Sequence, residues 1–209
     1  MCRNFIGGTI SNVWNSRLCR WKRLYRRFID SLSKLEYRGY DSAGIAVFEN
    51  GEITVEKAKG ELKNLREKVA EHKPMGHCGI GHTRWATHGE PSDINSHPHG
   101  NKRVSIVHNG IIENYKDIKN FLIEKGYTFI SETDTETVAK LLDYYYEGDP
   151  VDAIIKTLKD VRGAYALGIV FKDFPDRIFA VRKDSPLIIG AGDEENFIAS
   201  DVPAILKYT

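Results

Sequence analysis

Short runs of alternating or continuous apolar residues recur along this chain, and turn-forming residues such as glycine, asparagine and aspartate separate them. Runs of this length and period predict β-strands. Asn50-Gly51 lies between two of the runs and predicts a hairpin. The predicted strands are residues 45–48, 53–55, 78–80, 104–107, 127–130, 164–171, 177–182, 187–189 and 197–199.

Other segments repeat apolar residues every three or four positions, which predicts helices over residues 18–35, 61–71, 118–123, 138–146 and 151–161. Thr133 and Glu136 have the spacing of a capping box, and Pro150 suits the first position of a helix. Hairpins and helices alternate without a repeated βαβ unit. The pattern therefore predicts an α+β fold in which helices cover two antiparallel sheets.

Composition narrows the function class. The 209 residues are 41% hydrophobic and 28% charged, which is enough chain for one globular domain with a full core. The net charge of +1 gives no reason to expect nucleic acid or a membrane as partner, and no apolar run approaches membrane-spanning length. Three scattered cysteines (Cys2, Cys19, Cys78) argue against a disulfide framework and for a reducing compartment. We expect a cytoplasmic protein.

The first thirty residues differ from the rest of the chain. They contain six arginines and one lysine against the single acid Asp30. A basic amphipathic helix of this kind can bind a membrane surface or nucleic acid. A solvated cationic face on a helix that packs against the core is the alternative that we favour.

Residues 79–114 concentrate the chemistry of the chain, since five of the seven histidines lie there. Arg84 offers a planar fork for a carboxylate, and Trp85 offers an apolar wall. Asn109 offers an amide donor beside Gly110, whose backbone N–H no side chain shields. Such groups suit the binding of a small anionic substrate and the stabilisation of an oxyanion.

Each of these features also has a structural interpretation. Asn109-Gly110 between two apolar runs is typical of a type I′ hairpin turn. The histidines could bind zinc, but the chain has neither an H-E-x-x-H motif nor paired C-x-x-C motifs, so we expect no metal. Asp134 follows the capping residue Thr133, where it could serve the helix end or face a substrate ammonium.

Several long strings resemble one family in order: LEYRGYDSAGIAV, GIGHTRWATHGEPSDINSHPH, VHNGIIENY, SETDTE, RGAYAL and ENFIASD. They are similar to the glutamine amidotransferase domain of the glucosamine-6-phosphate synthase (glutamine–fructose-6-phosphate aminotransferase) family. The resemblance covers residues 32–209, so residues 1–31 form an atypical basic segment beside the domain. It implies a four-layer αββα sandwich of the N-terminal-nucleophile hydrolase type and no cofactor.

The resemblance also implies a mechanism. Loss of Met1 would free Cys2, whose thiol attacks the side-chain amide of L-glutamine while its own α-amine acts as the general base. A free α-amine titrates near pH 8, which suits that task. Asn109 and the Gly110 N–H would form the oxyanion hole.

The remaining site residues are likewise assigned by resemblance. Arg84 would hold the substrate α-carboxylate and Asp134 the α-ammonium, while Trp85, Thr87 and His88 would shape the pocket. His97 would brace the site or a mobile loop. Fructose 6-phosphate would bind only through the family's sugar isomerase part, which we expect this chain to lack. The full-length family also implies a homodimer.

One departure from the family affects the expected activity. The family continues from its cysteine into a Gly-Ile-Val-Gly strand, whereas Cys2 here is followed by Arg3-Asn4. Burying an unpaired charge is costly, so we expect residues 1 to about 15 to leave the sheet and activity to be weak. The alternative function is a catalytically impaired fragment that binds glutamine or a partner.

Overall fold

The computed structural model describes residues 14–16, 24–86, 88–192 and 195–209. The strands are β1 Trp14–Ser16, β2 Ser42–Glu49, β3 Glu52–Lys59, β4 Gly79–Arg84, β5 His99–Gly100, β6 Val104–Ile112, β7 Gly163–Phe171, β8 Ile178–Lys183, β9 Ile188–Ala191 and β10 Asn196–Ala199. The helices are α1 Leu24–Ser33, α2 Leu62–His72, α3 Tyr115–Glu124, α4 Asp134–Tyr145 and α5 Pro150–Asp160, with 3₁₀ turns at Glu36–Arg38 and Val202–Ala204.

All pairings between these strands are antiparallel. One sheet has the order β1-β8-β7-β6-β5, a second has the order β3-β2-β4, and β9 and β10 form a small pair. Helices α3, α4 and α5 share a core with the five-stranded sheet, whereas α1 and α2 share a core with the three-stranded sheet. Strand β4 packs against β6 and β7 between the sheets. The result is the predicted four-layer αββα sandwich.

The alternation of side chains along β6 decides what reaches the space between the sheets. Val104, Ile106 and Ile112 belong to the core shared with the helices. Val107, one position out of phase, packs instead against the core of the other sheet. Because successive side chains of a strand point to opposite faces, Asn109 shares the inter-sheet face with Val107.

Most predicted elements are confirmed within a few residues of their bounds, and so are two helix caps. Thr133 accepts a hydrogen bond from the Glu136 N–H at 3.2 Å, which starts α4. Pro150 is the first residue of α5, and Asp149 caps that helix. Of the predicted helix over 18–35, residues 24–33 are helical, and residues 17–23 lie outside the described part.

The predicted strand over residues 127–130 is wrong, because this segment is irregular. The Tyr127 N–H donates to the Leu122 backbone oxygen at 2.9 Å, and the Ile130 N–H donates to a side chain instead of to a neighbouring strand. The buried Glu136 carboxylate accepts from the Ile130 N–H at 3.1 Å and from the Ser131 N–H at 2.6 Å. Burial favours the neutral acid, but the hydrogen bonds from Ser131 and Ile130 outweigh it, so the pKa of Glu136 lies below its ordinary value.

Replacing Glu136 with alanine should therefore destabilise the fold. Two backbone N–H groups lose a charged acceptor, which costs about 2–4 kcal/mol of unfolding free energy. Urea denaturation measures the effect. Glu124→Ala, at an exposed position of α3, is the matched control and should change stability by less than about 0.5 kcal/mol. Equal midpoints for the two variants would contradict the role of Glu136.

We expected residues 1 to about 15 to leave the sheet, and this is wrong for the last of them. Trp14 and Asn15 pair with Ala180 and Phe179 of β8, so they lie in the five-stranded sheet. Residues 1–13, including Cys2 and Arg3, lie outside the described part. In the described part, no helix combines the length and the apolar character needed to cross a membrane.

Candidate active site

A cavity of about 270 Å³ lies between the two sheets, at the ends of β4 and β6 and beside the start of α4. Many residues that the sequence singled out line its wall. They come from four separate segments of the chain, and the sheet packing brings them together. These residues are Arg84, Trp85, His88, His97, Asn109, Gly110 and Asp134. The predicted nucleophile Cys2 and the predicted pocket residue Thr87 lie outside the described part.

Arg84 is the last residue of β4 and is only 4% exposed. Its Nη2 donates to the backbone oxygens of His88 and of Gly89, the latter at 3.0 Å, and so holds the loop that follows the strand. Its Nη1 is also buried but has no hydrogen-bond partner in the described part. Burial lowers the pKa of Arg84, and the charges of Asp41 and Asp134 oppose that shift. One edge of the guanidinium is therefore structural.

Asp134 is the first residue of α4 and faces one edge of β6. Its Oδ2 accepts from the Ile112 N–H at 2.9 Å. His108 lies nearby, with its Nδ1 3.9 Å from the same oxygen. A buried carboxylate with unused acceptor capacity suits an ammonium group.

Gly110 lies two residues before Ile112 on the same edge of β6. Its neighbours across the sheet follow from the pairing with β7, in which Gly110 is opposite Tyr165. The bonds from Glu113 N to Arg162 O and from Lys172 N to Arg103 O place the hydrogen-bonded pairs at odd-numbered residues of this stretch. The Gly110 N–H therefore points away from β7, along the edge that Asp134 faces.

Glycine is required at position 110 for steric reasons. Its φ of 127° lies in a region that L-residues rarely adopt. A Cβ there would lie 2.0 Å from the Ala164 backbone oxygen. The interpretation of Asn109-Gly110 as a hairpin turn is wrong, since both residues lie inside β6.

Asn109 reaches across the inter-sheet space to β4. Its Oδ1 lies 3.0 Å from the Nε2 of His82. Two other predicted pocket residues also line the cavity: Trp85 is 59% exposed with its ring 5.5 Å from that of Tyr40, and the His88 ring lies 5.5 Å from that of Tyr115.

His97 lies at the centre of a histidine cluster formed by the buried His97, His99 and His108 and the half-buried His82. Its ring centroid is 4.4 Å from that of His82, 5.1 Å from that of His99 and 6.5 Å from that of His108. Burial lowers the pKa of all four, to about 4 for His82. These rings are neutral at pH 7. In the described part, no group of three metal-ligating side chains is arranged to hold a metal ion.

Comparison with known proteins matches residues 82–207, more than half of the chain, to the family of glutamine amidotransferase domains. The chain belongs to this family.

Sequence relatives of the amidotransferase domain agree with that assignment. This chain is 62% identical over 183 residues to the glutamine–fructose-6-phosphate aminotransferase (isomerizing) of Caldanaerobacter subterraneus subsp. tengcongensis. The aligned part covers 87% of this chain and 30% of that protein. The enzymes of the same name from Clostridium acetobutylicum and Thermus thermophilus are 60% and 51% identical over the same shares. The domain thus spans about 30% of the length of these relatives.

Solved structures confirm the predicted N-terminal-nucleophile sandwich. The glutamine phosphoribosylpyrophosphate amidotransferase of B. subtilis, complexed with ADP and GMP, superposes with a TM-score of 0.78 at 25% identity, covering 92% of this chain and 42% of that chain. A structure described as the allosteric regulatory enzyme of purine biosynthesis gives a TM-score of 0.79 at 25% identity over the same shares.

The histidine cluster should make the stability of the amidotransferase domain depend on pH. An unfolded histidine titrates near pH 6.5, whereas His82 titrates at about 4 in the fold. Because the unfolded chain binds more protons in this window, stability is complete above about pH 6.5 and falls as the pH drops to about 4. The shift at His82 is worth at most about 3 kcal/mol, and less in practice because His82 lies at the pocket wall, where solvent screens it.

Denaturation between pH 8 and pH 4 tests this expectation. His97→Gln replaces one histidine of the cluster with a side chain that cannot take up a proton. The stability of this variant should therefore fall less steeply with acid than that of the unaltered protein. His72 is the matched control, because it is exposed and its hydrogen bond to Glu56 raises its pKa. His72→Gln should lose a little stability below pH 6.5 and so steepen the fall. Parallel curves for all three proteins would refute the assignment.

Two supporting residues of the amidotransferase domain were missed in the sequence. Asp41 accepts from the Ala86 N–H through Oδ2, and its own N–H donates to the Arg84 oxygen at 3.2 Å. It therefore fixes the chain that follows Arg84. His82 was noted only as one of several histidines, although its position two residues before Arg84 places both side chains on one face of β4. That spacing was the available signal.

Proposed function

We propose that this chain hydrolyses L-glutamine to glutamate and ammonia, as the glutaminase part of a glutamine–fructose-6-phosphate aminotransferase. The observation that carries the proposal is the unpartnered, buried Nη1 of Arg84, a residue that lines the pocket. A buried guanidinium nitrogen without a partner in the described part suits a carboxylate that arrives with the substrate. The names of the relatives support the choice of reaction.

In this proposal, the two charged side chains hold the amino-acid end of glutamine. Arg84 binds the α-carboxylate through Nη1, and Asp134 binds the α-ammonium. Arg84 ends β4 and Asp134 starts α4, and the opposite charges of the two side chains make the pair complementary to a zwitterion. Trp85, Thr87 and His88 shape the rest of the pocket, and His97 braces its floor.

The chemistry then takes place along the outer edge of β6. The Cys2 thiol attacks the side-chain amide carbon, and the free α-amine of Cys2 takes the thiol proton and later gives a proton to the leaving ammonia. Water then hydrolyses the resulting thioester, which releases glutamate and regenerates the thiol. The carbonyl oxygen gains negative charge in the tetrahedral intermediate. The Gly110 N–H, which points away from β7, and the Asn109 amide stabilise that charge.

The remaining reaction of the relatives involves fructose 6-phosphate. We assign its binding to parts of those proteins outside the aligned 183 residues. A homodimer and a cytoplasmic location stay predictions. It also stays a prediction that the protein uses no metal or organic cofactor and binds neither nucleic acid nor a membrane.

Ammonia release from L-glutamine tests the proposal. Intact-mass analysis first establishes that Met1 is absent. Because Arg3-Asn4 replaces the family's Gly-Ile-Val-Gly, the unaltered protein should hydrolyse L-glutamine weakly. A variant with that strand restored and the extra length trimmed should hydrolyse it well. L-Asparagine, one methylene shorter, is the control substrate. A restored variant that releases no ammonia from L-glutamine would refute the proposal.

A second candidate function rests on the same Arg3-Asn4 observation. A glutamine-binding fragment without catalysis would bind L-glutamate by calorimetry in both proteins and release ammonia in neither.

A further inference from the structure

His82 and Asn109 face each other across the space between the two sheets. His82 lies between Ile80 and Arg84 on the face of β4 that packs against β6 and β7. Asn109 lies on the inter-sheet face of β6. The distance of 3.0 Å between His82 Nε2 and Asn109 Oδ1 is that of a hydrogen bond.

The atoms in this contact define its polarity. Asn109 Oδ1 has lone pairs and no hydrogen, so His82 must donate from Nε2. The Asn109 NH₂ group then points away from His82 and makes no hydrogen bond to any described residue. It remains available to the pocket, in which Asn109 is a wall residue.

The surroundings of His82 hold the ring in the required form. Burial lowers the pKa of His82 to about 4 against the opposing effects of Asn109 and of the His108 backbone, so the ring carries a single N–H at neutral pH. The His97 ring packs on it at 4.4 Å with an interplanar angle of 44°. The other nitrogen, His82 Nδ1, is buried without a partner among the described residues. The one N–H is therefore at Nε2, where an acceptor is present.

The opposite tautomer of His82 would reverse which end of the Asn109 amide faces the pocket. A lone pair on His82 Nε2 would repel Asn109 Oδ1, and the amide would turn to donate its NH₂ to the ring. The amide oxygen would then face the pocket. An oxygen there repels a developing oxyanion instead of stabilising it.

We propose that His82 is a positioning residue: its Nε2–H donates to Asn109 Oδ1 and thereby turns the Asn109 NH₂ group toward the reacting carbonyl oxygen. This inference rests on the proposed glutaminase function and adds a residue to it. His82 does not touch the substrate in this scheme, and it acts only through Asn109.

Nitrogen-15 NMR of the unaltered protein tests the His82–Asn109 hydrogen bond and does not depend on catalytic activity. Two-bond proton–nitrogen correlations of the imidazole rings should show His82 with a protonated Nε2 and a bare Nδ1, unchanged from pH 8 to about pH 5. The side-chain amide signals of Asn109 should shift in His82→Leu. They should stay in place in His72→Gln, the matched histidine control on the outer helix α2. A His82 ring protonated at Nδ1, or charged at pH 7, overturns the inference.

A double-mutant cycle tests the consequence for catalysis. His82→Leu should lower kcat roughly tenfold and leave KM near its original value. The lost hydrogen bond orients the Asn109 amide, which stabilises the transition state and not the bound substrate. His82→Gln, whose amide can donate to the same oxygen, should recover most of that loss. In an Asn109→Ala background, His82→Leu should have little further effect.

The outcomes separate the two proposals. Effects of His82→Leu and Asn109→Ala that multiply fully would show that His82 acts independently of Asn109, and the inference would be wrong. Equal losses in the leucine and glutamine variants, together with equal falls in melting temperature, would show a structural role and also overturn it. A chain that binds L-glutamate but shows no turnover in any variant contradicts the glutaminase function, while the tautomer of His82 still decides the inference.

Discussion

Replacing Asn109 with alanine should lower the kcat of glutamine hydrolysis by roughly 100- to 1,000-fold and leave KM nearly unchanged, because the amide stabilises charge that exists only in the transition state. Asn109 is a wall residue of the pocket and lies inside β6, so its amide is held by a rigid strand. Steady-state ammonia release measures the effect. The variant with Gly-Ile-Val-Gly restored after Cys2 is the suitable background, since its expected turnover allows a loss of two or three decades to be followed.

The control for this prediction is Asn120→Ala. Asn120 lies on α3, away from the pocket, so its removal should leave kcat within about twofold. Urea denaturation of both variants separates catalysis from folding. If Asn109 matters only for the sheet, Asn109→Ala will lose stability and keep its kcat per folded molecule.

Replacing Arg84 with alanine should weaken the binding of L-glutamate by roughly 30- to 1,000-fold, equivalent to about 2–4 kcal/mol, because a charge-assisted contact with a carboxylate is lost inside a buried site. Some stability should be lost as well, since Arg84 Nη2 holds the backbone oxygens of His88 and Gly89. Arg84→Lys keeps the charge but not the planar fork, so we expect an intermediate affinity. Calorimetry well below the melting temperature measures all three proteins.

Arg103→Ala provides the matched arginine control. Arg103 donates to the Tyr146 backbone oxygen and lies 3.4 Å from an Asp143 oxygen, outside the residues that line the pocket. Its loss should cost stability without changing affinity for L-glutamate. An Arg84→Ala protein that is folded and binds L-glutamate as well as its parent would remove Arg84 from the binding site.

Local patterns were sufficient for most of the secondary structure. The capping residue Thr133 and the first-turn residue Pro150 mark helix starts because their effects act within four residues along the chain. The failure at residues 127–130 has the opposite cause. A strand needs a neighbour to pair with, and here the Glu136 side chain accepts from the Ile130 and Ser131 N–H groups at the end of the segment.

For the site, the sequence identified the residue types but not their arrangement. It marked Arg84, Asn109 and Gly110 as suited to a small anionic substrate and an oxyanion, and Asp134 as able to pair with a substrate ammonium. The pocket brings all four together. It could not distinguish a strand from a turn at Asn109, because Asn-Gly is compatible with both. The pairing of β6 with β7 settled that point.

The sequence by itself determined most of the helices and strands, the helix caps and the concentration of chemical groups in residues 79–114, since each depends on neighbours along the chain. Only the tertiary structure decided which face and which edge of each strand those groups occupy. The register of β6 turned the Gly110 N–H away from β7, and the packing of β4 against β6 placed His82 3.0 Å from Asn109. Register and sheet packing join residues far apart in sequence, so no local pattern encodes them.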